Sequence, residues 1–368
     1  MSPSKVYFMD LRASSEENLL KKFNRLLKTA HLVNLPISGR TVAIKLHFGE
    51  FGNLAYIRHN YVAELVRLLK EMGGKPFLTD TNTLYKGSRS NAIDHLETAF
   101  KNGFNPITVG CNVIIADGLW GFDHRKIEIN LKHFSHALIA SAVAEADVLI
   151  SMNHFKGHEL TGFGGAIKNV GMGCASREGK IKMHTVSKPK VNEDKCISCG
   201  ECVRSCNYGA IKFGVNEKAK INYDLCVGCG QCIVVCPSEA IDIDWDMSVE
   251  ACERIVEYAY AALKGKPAFH LNFITDVSPF CDCWSYNDAP IVPNIGILAS
   301  FDPVAIDRAS ADLVNQASVN PFGPLAERNP SPGEDKFTLI HPKTSWKAML
   351  DYAEKIGLGS QSYELVKI

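Results

Sequence analysis

The chain has 368 residues, 46% hydrophobic and 22% charged, and its 40 basic and 40 acidic side chains leave a formal net charge of zero. That balance gives no electrostatic footprint for nucleic acid or an anionic membrane surface, and no run approaches the roughly 20 apolar residues of a membrane span. Thirteen cysteines behind an N-terminal stretch with no long apolar core imply a cytoplasmic, reducing setting, in which thiols hold metal and do not pair as disulfides.

Read in order, Lys5–Leu11 is a first strand, and Ser14 or Ser15 caps a helix with Leu19, Leu20, Phe23, Leu26 and Leu27 on one face. Thr41–Phe48 is a second strand carrying Lys45 and His47, with Glu50 just beyond. A helix over Tyr61–Met72 stops at Gly73 and Gly74, and Lys75–Thr81 is a third strand. A helix over Asn91–Lys101 precedes short strands at Ile107–Val109 and Asn112–Ala116 and an edge strand at Lys126–Ile129. His136–Glu145 reads as helix and Asp147–Asn153 as a buried strand.

Strands alternating with helices predict a three-layer α/β domain with a largely parallel or mixed sheet. Ligands of such sheets sit beyond the carboxyl ends of strands. That rule points to Lys45–Glu50, Asp80–Thr83, Asn153–His158 and, later in the chain, Ser300–Asp302. Beyond Asn153 the chain turns glycine-rich, with His154, Lys156, His158, Lys168 and Asn169 among the glycines. Those glycines either bring backbone amides to an anion beside Lys168 or pack closely against the segment that follows.

That segment holds two blocks of C-x2-C-x2-C-x3-C: Cys196, Cys199, Cys202 and Cys206, then Cys226, Cys229, Cys232 and Cys236. The spacing is that of bacterial two-cluster ferredoxins, in which the fourth cysteine of each run ligates the other cluster. Cys196, Cys199, Cys202 and Cys236 are therefore assigned to one 4Fe–4S cluster, and Cys226, Cys229, Cys232 and Cys206 to the second. Zinc sites use paired C-x2-C knuckles instead of runs of three plus one. The blocks repeat further: Gly200 and Gly230 follow the second cysteines, and Ala-Ile pairs begin four residues after the fourth. Asn207 stands where the second block has Pro237.

After the cysteines come an amphipathic helix over Ser248–Leu263, strands at Ala268–Thr275 and Ile295–Ser300, and a helix over Pro303–Val314. Asp302 and Asp307 read as helix-start residues, with Asp302 the N-cap before Pro303. A closing helix and a terminal strand complete the chain. The organisation expected is one α/β domain in two parts, 1–187 and 246–368, interrupted by a dicluster ferredoxin domain over 188–245.

Lys45–Glu50, His154–Gly173, Cys281–Cys283 with Ile291–Asn315, and His341–Gly359 resemble the family called domain of unknown function 362. The resemblance covers nearly the whole chain. It implies an iron–sulfur centre protein whose α/β domain a ferredoxin unit interrupts, and it implies no particular reaction.

Cys281-Asp282-Cys283 can ligate one metal, form a redox pair, or with His154 and His158 build a soft nitrogen–sulfur site; two ordinary packed cysteines are the alternative. Cys111, Cys174 and Cys252 read as small buried residues. Lys45, Lys156 and Lys168 either share one pocket or form a solvated rim. The function expected is electron transfer through two 4Fe–4S clusters to a redox partner protein or to a substrate bound at the strand ends. The alternative is an oxidoreductase with its own small-molecule or third-metal site, for which Lys45, His47, His154, His158, Lys168, Cys281 and Cys283 are the candidates.

Overall fold

The computed structural model describes residues 3–84, 87–184, 188–226, 232, 235–242 and 248–368. Its first strands are β1 (Ser4–Asp10), β2 (Thr41–Lys45), β3 (Lys75–Asp80), β4 (Val113–Ile115), β5 (His124–Glu128), β6 (His136–Ala140), β7 (Val148–His154), β8 (Lys156–His158) and β9 (Gly162–Gly164). The later ones are β10 (Lys190–Val191), β11 (Ile211–Phe213), β12 (Ala219–Ile221), β13 (Ile241–Asp242), β14 (Ala268–Ile274), β15 (Gly296–Ser300) and β16 (Tyr363–Lys367).

Eight of these form one sheet in the order β16-β1-β15-β14-β7-β2-β3-β4. β15 is antiparallel to both its neighbours, and the other pairings are parallel. Alternation along each strand feeds two cores. In β1, Val6 and Phe8 join one core, while Tyr7 and Met9 join the other. The first core lies under the helices Ala166–Gly171, Ser248–Leu263, Pro303–Gln316 and Trp346–Lys355, and the second under Leu19–Thr29 and His59–Glu71. The mixed three-layer α/β architecture is thus present, with burial on both sheet faces as mainly parallel sheets require.

Several local expectations are corrected. Ser14 and Ser15 do not cap the first helix; Asn18 does, accepting from the Lys21 amide. Ile107–Val109 is a helical turn and no strand, because Asn105 forms a capping box with Thr108 ahead of Pro106. His136–Ala140 is strand β6, antiparallel to β5, and only Ser141–Glu145 is helical. Pairing with β5 overrides the helical pattern of the segment. Asp302 does cap its helix, accepting from the Val304 and Ala305 amides.

The glycines after Asn153 pack against the α/β body. A Cβ on Gly171 would stand 2.2 Å from the Ile255 carbonyl, so the helices Ala166–Gly171 and Ser248–Leu263 touch backbone to backbone. The described residues of 188–242 follow the helix Arg177–His184 in sequence and precede the helix Ser248–Leu263. Two short ladders organise them, β11 with β12, and β10 with β13. Among the described residues no helix is long and apolar enough to cross a membrane.

Candidate functional site

The carboxyl ends of β2, β3, β7 and β14 lie side by side, since these strands are parallel and in register at Lys45–Thr79, Lys45–Ser151 and Phe273–His154. Three of the four strand ends expected to form the site do so. Ser300–Asp302 does not: β15 runs against the others, so its end lies at the opposite edge, where Ser300 pairs with His270. The loop after β14 takes its place and carries Cys281–Cys283. It is pinned by backbone bonds, Gly157 donating to Ser278 at 2.8 Å and Glu50 donating to Asp282 at 3.1 Å. A Cβ on Gly157 would stand 2.3 Å from the Pro279 carbonyl, so glycine alone admits this loop.

Cys281 and Cys283 face each other with their sulfurs 2.9 Å apart. Lys168 Nζ donates to Cys281 Sγ at 3.8 Å, and His47 Nε2 lies 3.6 Å from Cys283 Sγ. The His158 ring hydrogen-bonds Cys281. Both imidazoles have their tautomer set by backbone amides: Gly49 donates to His47 Nδ1, and Leu160 and Thr161 donate to His158 Nδ1. Each therefore carries its proton on Nε2, toward sulfur. Burial, and then Arg89 for His47 and Lys168 for His158, lower both to about 3, so the rings stay neutral.

The hydrogen bond from Cys281, helped by the charges of Arg89, Lys168 and Lys156, outweighs burial and brings Cys283 down to about 5. Cys281, which gives that hydrogen bond, is raised. The pair thus holds one proton at neutral pH, with the negative charge on Cys283.

Asp282, between the two thiols in sequence, turns the other way. His154 Nδ1 lies 2.9 Å from its Oδ1, and His154 Nε2 lies 2.8 Å from the Thr275 carbonyl. Both ring nitrogens are engaged by oxygen, so the structure joins His154 to Asp282 and Thr275 and not to the soft metal site expected from the sequence. Burial opposes ionisation of Asp282, but His154 and Lys156 hold its carboxyl well below the usual range.

Beneath the thiols lies a buried ion cluster. Lys45 Nζ meets Asp80 Oδ1 at 2.9 Å and donates to Asn169 Oδ1 at 2.7 Å. Arg89 Nε pairs with Glu50 at 2.9 Å, and Arg89 Nη1 reaches Asp80 at 3.6 Å. Arg89 Nη2 has no hydrogen-bond partner among the described residues. Of the three lysines expected in one pocket, Lys156 and Lys168 attend the thiols, while Lys45 is committed to Asp80. Arg89 and Asp282 escaped the sequence reading: the first lies in an unpatterned loop, and the second sits inside a motif read for its cysteines.

Asp307, expected at a helix start, lies inside Pro303–Gln316 and caps another helix, accepting from the Ala166 amide at 2.7 Å and the Ile167 amide at 2.9 Å. Burial pushes its carboxyl up to about 6. It fixes the helix that carries Lys168.

In residues 188–242, Cys196, Cys199, Cys202 and Cys236 line one cavity. Burial, and then Cys196, Cys199 and Cys236, raise the Cys202 thiol. The Ala240 amide donates to Cys236 Sγ at 3.2 Å, and the Ala210 amide donates to Cys206 Sγ at 3.3 Å. The repeated Ala-Ile pairs thus supply the same sulfur contact in both blocks. Cys226 is half-buried and Cys232 buried, while Cys229 lies outside the described residues. Among the described residues no group of three or more His, Cys, Asp or Glu is placed to hold a single metal ion. Asn207, in the place of a proline, donates to the Leu84 carbonyl at 3.1 Å, joining this segment to the loop that carries Arg89. Cys111, Cys174 and Cys252 are buried.

The fold and site describe a three-layer α/β protein with a thiol pair at the carboxyl edge of its sheet and a cysteine-rich segment between β7 and β14. The chain belongs to the family described as Domain of unknown function (DUF362), whose model matches residues 42–312. No curated protein matches it. Among solved structures it is similar to the lactate racemase apoprotein from Thermoanaerobacterium thermosaccharolyticum, at 14% identity and a TM-score of 0.37, over 73% of this chain and 51% of that one. It is also similar to a structural-genomics protein from Thermotoga maritima, at 14% identity and a TM-score of 0.42, over 83% of this chain and 61% of that one. The chain thus spans about half the length of the first and three-fifths of the second.

Proposed function

We propose that this is a cytoplasmic iron–sulfur protein that carries two 4Fe–4S clusters in residues 188–245, an inserted ferredoxin-like unit, and passes electrons to chemistry at the sheet's carboxyl edge. The supporting observation is the cavity lined by Cys196, Cys199, Cys202 and Cys236, three thiols of one block and the fourth of the other. That grouping supports the ligand swap the spacing calls for. Four thiols line that cavity, and among the described residues no three are placed to hold a single ion, which suits a cube of iron and sulfide better than one metal. Cys226, Cys229, Cys232 and Cys206 would hold the second cluster. When bound, the clusters supply single-electron transfer.

The chain's own residues tune and direct that transfer. The Ala240 and Ala210 amides donate to sulfur, and such bonds stabilise the more negative, reduced state of a cluster. Asn207 docks the segment on the Leu84 carbonyl, which ties the second set of ligands to the loop that carries Arg89. A redox partner protein delivers the electrons at the exposed Cys199 side. The thiol pair favours an oxidoreductase acting at its own site over a simple carrier, because a carrier has no use for a lowered thiolate among Lys156, Lys168 and Arg89.

Anaerobic iron and sulfide quantitation, with electron paramagnetic resonance after reduction, tests the reading. It expects about eight irons, about eight labile sulfides and coupled signals. Stoichiometric zinc with fewer than about four irons rejects it.

A further inference from the structure

The sequence leaves Cys281 and Cys283 unassigned, and several observations converge on them. The sulfurs lie 2.9 Å apart. Two imidazoles with tautomers locked by backbone amides present N–H to them. Cys283 is partly exposed, and so is Lys168, which meets no carboxylate among the described residues and whose Nζ donates to Cys281 Sγ. The buried Arg89 Nη2 has no partner there either. Lys168, with no carboxylate paired to it among the described residues, draws an anion to this end of the site.

We infer that Cys281 and Cys283 form a redox-active dithiol that reduces a small disulfide bearing a carboxylate, with Cys283 as the attacking thiolate and Lys168 holding the carboxylate at the mouth of the site. Cys283 thiolate attacks one sulfur of the substrate; a sulfur–sulfur bond forms, the substrate's own breaks, and one half leaves as thiolate. Cys281 then displaces the second half, which departs with the Cys281 proton, and a Cys281–Cys283 disulfide remains. Two electrons and one proton return the pair to thiol and thiolate. The net change is one disulfide plus two electrons and one proton to one thiol and one thiolate. For the source of those electrons, one from each cluster, the inference rests on the proposed function; the exchange steps do not depend on it.

The groups facing the pair are His47 and Glu50 beyond β2, Lys156 and His158 on β8, Glu159 just after it, which accepts from the Cys281 amide, Lys168 on the helix Ala166–Gly171, Arg89 on the loop after β3, and Asp282 between the thiols. Their balance lowers Cys283 to about 5. At about pH 6 an ordinary thiol is scarcely ionised, so Cys283 reacts about tenfold faster even after its weaker intrinsic nucleophilicity is allowed for.

The test uses the full-length protein, prepared anaerobically and reduced, with dithiobis(nitrobenzoate) as an anionic probe and dithiodipyridine as a neutral one. The expected result is a fast phase at about pH 6 that releases two thiolates per chain and leaves Cys281 and Cys283 joined in one peptide by mass spectrometry. Cys281→Ser releases one and retains a mixed disulfide on Cys283; Cys283→Ser loses the fast phase. These opposite products separate chemistry from a folding defect, which would treat both variants alike. Lys168→Gln lowers the preference for the anionic probe about tenfold, and Lys168→Arg keeps it. A fast phase that survives in Cys283→Ser, a mixed disulfide that persists on the unaltered protein, or stoichiometric metal that shields both thiols overturns the inference. Photoreduced protein is then expected to reoxidise on adding the anionic disulfide only when both cysteines are present. Thiol exchange without iron or sulfide sinks the cluster reading and leaves the exchange standing; clusters without a fast phase do the reverse.

Discussion

Replacing Lys45 by methionine probes the ion cluster on which the site rests. Lys45 is 1% exposed and Asp80 3%, so neither charge can turn to water. The substitution keeps most of the apolar stem and removes Nζ from Asp80 Oδ1 and Asn169 Oδ1. Breaking a buried pair by removing one partner costs about 3–5 kcal/mol, because the other charge stays uncompensated. Arg89 Nη1 and His95 Nε2 each stand 3.6 Å from Asp80 Oδ2, too far to replace the contact fully but near enough to soften its loss. The lower end, about 3 kcal/mol, is therefore expected. Lys45→Met with Asp80→Asn removes both charges and is expected to cost about 1–2 kcal/mol less than the sum of the single changes. Urea unfolding of the four proteins reads the cycle. A Lys45→Met cost under about 1 kcal/mol, or a strictly additive cycle, refutes the claim that this pair is a buried electrostatic unit.

The ligand swap predicts that Cys236→Ser lowers iron by about four per chain through the first block's cluster, and that Cys206→Ser does so through the second; retention of all the iron in either counts against the swap. Gly171→Ala drives a methyl to within 2.2 Å of the Ile255 carbonyl and is expected to destabilise by at least about 1–3 kcal/mol; a thermal midpoint unmoved by the change removes that contact from the fold. Asp307, raised to about 6 from an ordinary 3.8, makes a contribution that is complete below about pH 4 and lost as pH rises through about 6. Asp307→Asn removes that share of the pH slope in urea midpoints, while Asp117, also raised to about 6, keeps its own. A slope unchanged by the substitution excludes Asp307 as its source.

How much of this was legible depended on range. The helix Ser248–Leu263 has the bounds its apolar spacing indicates, and Asp302 caps the helix that its Asp-Pro pair announces, because both signals are local. His136–Ala140 was misread because a five-residue apolar run suits helix or strand, and only its partner β5 decides. The direction of β15 follows from a loop that returns the chain on the same side of the sheet, which composition does not encode. That one reversal moved Ser300–Asp302 away from the site and put Cys281–Cys283 into it. His47, His158 and Lys168 were legible as candidates from residue type and strand-end position. Their grouping around two sulfurs, and the diversion of His154 to Asp282 and of Lys45 to Asp80, are contacts between residues more than a hundred positions or tens of positions apart.

The pairing of β10 with β13 has a consequence for how the sheet carries its cysteine-rich segment. Lys190 lies opposite Asp242 and Val191 opposite Ile241, so the way into the cysteine-rich segment and the way out are held together. β7 and β14, which flank the segment in sequence, are meanwhile hydrogen-bonded neighbours in the sheet. The sheet therefore meets the intervening residues as a loop with joined ends, whose length costs little, since closure entropy grows only with the logarithm of loop size. A change in the length of the segment behind that clasp is therefore expected to disturb the sheet little.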